Sequence, residues 1–143
     1  MVSRSKLDTV IKVKNHQVKN AQRELAVITV TKEKEETELD RLEETHNTAM
    51  SDAVREMKTR AADLQTGSAF IQNLSRQIKR QEGKVDEIRE KEDGKREELI
   101  EKSQSKQMIE KLEKKRKEEV EKELDRKAQR VIDMLAQRLR LGF

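Results

Sequence analysis

The chain has 143 residues, of which 43% are charged, 32% are hydrophobic and 1% are aromatic, with 33 Lys+Arg against 29 Asp+Glu for a net charge of +4. Too few large apolar side chains are present to fill a thick globular core, and the near-balance of charge argues against disorder by self-repulsion. The absence of cysteine excludes disulfides and thiolate chemistry, and no apolar run is long enough to span a membrane.

What remains is long helix. There is no proline, whose presence in a helix interior costs about 3 kcal/mol or more, and Glu, Lys, Arg, Gln and Leu abound. The predicted fold is all-α: one long antiparallel two-helix coiled coil, a single hairpin over residues 1–143. Helix 1 is expected over about 4–65, the turn at about 66–69 and helix 2 over about 70–140.

In the first arm Leu7, Ile11, Val18, Ala21, Leu25, Ile28, Leu39 and Leu42 recur at steps of three and four, with Lys14, Lys32 and Glu35 filling gaps. From Leu42 the spacing shifts to His46, Met50, Val54, Met57, Ala61 and Leu64, where consecutive four-residue steps amount to a stutter that locally unwinds a supercoil. Thr66-Gly67-Ser68 reads as the turn, since glycine ends helices and serine caps their starts. Folding there pairs residues whose numbers sum to about 134, setting Leu25 against Ile109 and Leu39 against Lys95. Each arm is then about 90 Å long, and the last ten or so residues of the second project past the first.

The second arm carries Ile71, Leu74, Ile78, Val85, Ile88, Leu99, Ile109, Leu112, Val120, Leu124, Val131, Leu135 and Leu139, interrupted by Gln81, Glu92, Lys95 and Arg116. Gly83 and Gly94 lie inside it. Because the seam keeps one phase across Gly94, a continuous helix with a soft spot is favoured over a break into three helices. The interrupted seam is satisfied either in a dimer or by a partner.

No catalytic constellation is apparent, and the reading is of a non-enzymatic protein without cofactor or metal. His16 and His46 are far apart; His46 with Glu43 makes at most a weak metal pair, and a seam histidine is the plainer account. Residues 1–23, with Arg4 the first base, sum to +5 and residues 126–143 to +4, so the hairpin gathers a basic pole while the rest sums to −5. Such a pole steers toward acidic proteins or membranes; the lack of stacking aromatics disfavours nucleic acid. Beside it, RVIDMLAQRLRLGF (130–143) is the most apolar stretch, with Ile132, Met134, Leu141 and Phe143 widening the surface. Phe70 is the only internal aromatic, either stapling the loop or anchoring a partner.

Three blocks resemble the FliJ family of flagellar type III export proteins: KLDTVIKVKNHQVKNAQRELA (6–26), FIQNLSRQIKRQE (70–82) and KQMIEKLEKKRKEEVEKELDRKAQRVIDMLAQRL (106–139). The resemblance implies a stalk-like coiled coil, cytoplasmic and peripheral at the inner face of the inner membrane. Its implied partners are the hexameric export ATPase and the membrane export-gate protein; export chaperones are further candidates, and neither nucleic acid nor a small-molecule substrate is expected. It implies ring contact at the basic open end (Arg130, Val131, Leu135, Arg138, Leu139). Gate contact falls on Phe70, Leu74, Gln77 and Gln81, the last two being polar where family members can carry a small apolar residue and a histidine. The alternatives are a stalk of a virulence secretion system, or a generic scaffold or basic membrane-surface binder.

Overall fold

The structure is a computed structural model and describes residues 6–55 and 61–142; Arg4, Met57 and Phe143, which the sequence reading uses, lie outside them. Two helices make up the fold, α1 (Lys6–Arg55) and α2 (Ala61–Arg140). They pack as a helical hairpin coiled coil, the expected all-α architecture.

The expected turn is corrected. Thr66, Gly67 and Ser68 are helical, six residues and more inside α2, so residues 61–65 belong to the second helix rather than the first. Gly142 is the one glycine with positive φ (75°) among the described residues. The apolar period explains the difference: Leu64, Ile71, Leu74 and Ile78 continue at helical spacing through Gly67, and one glycine costs a helix only about 1 kcal/mol. For the same reason α2 passes Gly83 and Gly94 without interruption. It ends at Arg140, and just beyond it the amide of Leu141 reaches the Gln137 carbonyl (3.0 Å) and that of Gly142 reaches the Leu139 carbonyl (3.4 Å).

Two compact units divide the chain: Asn20–Leu99, and Met1–Lys19 with Ile100–Phe143. In the first, bonds between the helices join Glu24 to Lys95, Thr29 and Lys32 to Glu92, Glu36 to Arg89 and His46 to Ser75. The numbers of these partners sum to about 121, as antiparallel strands require. The anticipated register, with sums near 134, is therefore displaced by about thirteen residues. Ala21, Leu42, Leu74 and Val85 are buried in this unit, and Leu25, Ile28, Leu39, Ile71, Ile78, Ile88 and Leu99 are half-buried.

In the other unit Val18 is buried, and Leu7, Ile11 and Ile109 are half-buried. After the buried Glu113, every described residue of α2 is exposed. The exposed length is thus far more than the expected ten or so residues, in the direction that the corrected register dictates.

Candidate interaction surfaces

Three regions combine exposed apolar groups with distinctive charge or shape. The first is the exposed part of α2. Val131, Leu135 and Leu139 are 52%, 54% and 79% accessible, and Arg130 and Arg138 are exposed beside them. At 3.6 residues per turn these three apolar side chains share one face. Val120 and Leu124 extend the face toward the start of the helix, and reading only the apolar tail from residue 130 missed them. Their heptad spacing was visible, but their lack of a partner depended on the register. The unit that contains them carries 18 Lys+Arg against 10 Asp+Glu, whereas Asn20–Leu99 carries 15 against 19.

The second region is the early part of α2. Phe70 is 51% exposed and Gln77, seven residues on, is exposed with it. Leu74 and Gln81 instead face the seam, at 5% and 6% exposure. Gln81 donates through Nε2 to the Glu35 backbone carbonyl at 3.0 Å and to the Glu35 carboxylate. The four residues grouped by the sequence reading therefore divide into an outward pair and an inward pair that fixes its backing.

The third region went unread in the sequence. Where the end of α1 meets the start of α2, Met50, Ala53, Val54, Leu64, Ser68, Ile71 and Gln72 line a groove of about 340 Å³. A second cavity of about 230 Å³ lies against Ala49, Ala53, Leu64, Gly67 and Phe70, with Asp52 and Asp63 at its edge. The run of four-residue steps through Met50 and Val54 is the signal that could have found it, because a stutter turns the apolar face away from its mate.

Polar side chains also occupy the seam itself. Glu92, 3% exposed, accepts from Lys32 Nζ (3.0 Å) and Thr29 Oγ1 (3.3 Å) and pairs with Arg96 (2.9 Å). The hydrogen bond from Lys32 holds its carboxyl below the ordinary carboxylate value, against the opposing effect of burial and with help from Arg96 and Thr29. His46 Nε2 lies 3.2 Å from Ser75 Oγ, which makes it a seam residue, while Glu43 is exposed. Among the described residues no three His, Cys, Asp or Glu side chains are gathered to hold a metal ion, and no helix is long and apolar enough to cross a membrane.

The model of one protein family, described as Flagellar FliJ protein, matches residues 3–141, essentially the whole chain. No curated protein and no solved structure matches it.

Proposed function

Since the chain belongs to the FliJ family of flagellar proteins and so has a role related to flagellar export, we propose that it acts there without catalysing a reaction, by binding the hexameric export ATPase. The observation that carries this reading is the exposed face of Val131, Leu135 and Leu139, flanked by Arg130 and Arg138. A helix end that is apolar on one side and basic beside it suits insertion into an acidic-lined opening. A protein that prefers the assembled ring to free subunits shifts the equilibrium toward the ring, and so raises the ATPase rate with no active site of its own.

The gate-facing role falls to the outward pair, Phe70 and Gln77, with Leu74 and Gln81 supporting them from the seam. Export chaperones are further partners on this reading, and the working place is the cytoplasmic face of the inner membrane. The test is the rate of the cognate export ATPase titrated with the purified protein, alongside the variant Leu135→Asp/Leu139→Asp. A saturable rise that the variant loses supports ring contact at these residues. A flat titration, with no co-migration on a sizing column, refutes it, and flotation with acidic liposomes in that case favours the membrane-surface alternative.

A further inference from the structure

The exposed stripe on α2 has a spacing that reads the same in both directions. Val120, Leu124, Ala128, Val131, Leu135 and Leu139 follow steps of four, four, three, four and four. At 3.6 residues per turn all six fall within about 100° of arc, and all six are exposed. A helix with such a stripe is a coiled-coil strand lacking its second strand.

Charge is divided along the same segment. Residues 118–125 hold Glu118, Glu119, Glu121, Glu123 and Asp125 against Lys122, while residues 126–140 hold Arg126, Lys127, Arg130, Arg138 and Arg140 against Asp133. The two blocks are therefore −4 and +4. A parallel pair of such helices sets each block on its own image, acid against acid and base against base. An antiparallel pair reverses one helix.

We infer that a second copy of this chain covers the stripe, antiparallel, about a two-fold axis between Gln129 and Arg130. In that register Val120 of one copy lies level with Leu139 of the other, Leu124 with Leu135, and Ala128 with Val131. Each layer occurs twice, as an isologous interface demands. Glu119 and Glu121 come level with Arg140 and Arg138 of the second copy, and Arg126 with Asp133. No like charges stand level anywhere from residue 119 to residue 140. The palindromic spacing and the opposed blocks are independent features, and both select the same pairing. The dimer hides Val131, Leu135 and Leu139, so it competes with any other partner for that face.

The inference needs no second protein and is tested without one, so its failure leaves the ring-contact reading intact. Because the chain has no cysteine, single cysteines report the geometry cleanly. Ala128→Cys places the two thiols about three residues, or roughly 4.5 Å, apart along the axis, whereas Val120→Cys places them about 28 Å apart. The expected result is a concentration-dependent dimer by sedimentation equilibrium, and at least about tenfold faster capture of Ala128→Cys than of Val120→Cys by a short thiol cross-linker. Leu124→Asp/Leu135→Asp, which changes only exposed side chains, is expected to be monomeric with unchanged helicity. A wild-type monomer overturns the inference. So does equal cross-linking at both positions, which reports parallel pairing, or a dimer that survives the aspartate variant.

Discussion

Lys32 Nζ lies 2.9 Å from Glu92 across the helix pair, and both side chains are largely withdrawn from water, at 19% and 4% accessibility. Removing one member of such a pair leaves the other charged and desolvated, which costs more than losing an exposed pair. Lys32→Ala is therefore expected to lower the denaturant midpoint clearly. Arg41→Ala, which breaks a 2.6 Å pair with Glu38 at the surface, is expected to change it little. Urea unfolding followed by circular dichroism compares the two.

The Glu92 carboxyl titrates below its ordinary value of 4.5 because Lys32 bonds its charged form. A depressed folded-state value gives stability that is present above the unfolded value and lost as pH falls through the folded one. The melting temperature is expected to fall as pH drops below about 4.5, with Glu92→Gln showing a shallower fall over that window than wild type. A thermal scan from about pH 6 to about pH 3 measures both slopes; identical slopes would assign the acid sensitivity elsewhere.

Gly67 provides a test of where the second helix runs. It is helical, and an added Cβ meets nothing within 4 Å. Gly67→Ala is thus expected to stabilise the protein by about 0.5–1 kcal/mol. At the left-handed end of a helix the same change would destabilise, so the sign measured by chemical denaturation decides.

Val85 is fully buried and Val131 is 52% exposed. Truncating a buried valine loses apolar contact and leaves a small void, so Val85→Ala is expected to cost about 1–3 kcal/mol. Val131→Ala is expected to stay within about 0.5 kcal/mol at concentrations where the chain is monomeric. Denaturant titrations of the two variants provide the contrast.

Gln81 satisfies itself on Glu35 inside the seam. Gln81→Ala is expected to destabilise by about 1 kcal/mol through the lost hydrogen bond and contact, and thereby to disturb the neighbouring Phe70 and Gln77 face indirectly. Phe70→Ala, at a half-exposed site, is expected to leave the midpoint nearly unchanged while weakening gate binding in a pull-down with the purified gate domain.

The helices themselves were legible because their signal is repeated: dozens of residues agree on a 3.5-residue period, and no proline contradicts it. The seam members Val18, Ala21, Leu42, Leu74 and Val85 followed from that period alone. Register was not legible in the same way. It hangs on one short connection, and Thr66-Gly67-Ser68 carries strong local end signals that the continuing stripe of Leu64, Ile71 and Leu74 outweighs. The polar seam residues contain the correct answer, since only one register brings Glu92 to Lys32 and Thr29 while Gln81 meets Glu35. That match depends on side-chain reach in three dimensions, which residue spacing does not encode. The proposed surfaces inherit this division: the apolar tail was visible in the sequence, but the exposure of Val120 and Leu124, and the inward turn of Leu74 and Gln81, were not.

The exposed part of α2 also makes the molecule its own footprinting probe. From Lys114 to Arg140 it carries ten Lys and Arg side chains, all accessible, on a helix that no tertiary packing clamps. A helix in that condition unwinds locally at low free-energy cost, and a peptide bond must unwind to enter a protease. Trypsin is thus expected to trim this segment before it cuts elsewhere in the described chain, and whatever seats on the stripe slows the trimming. The fragment pattern on a gel then reports occupancy directly, in a mixture where the bound species needs no label.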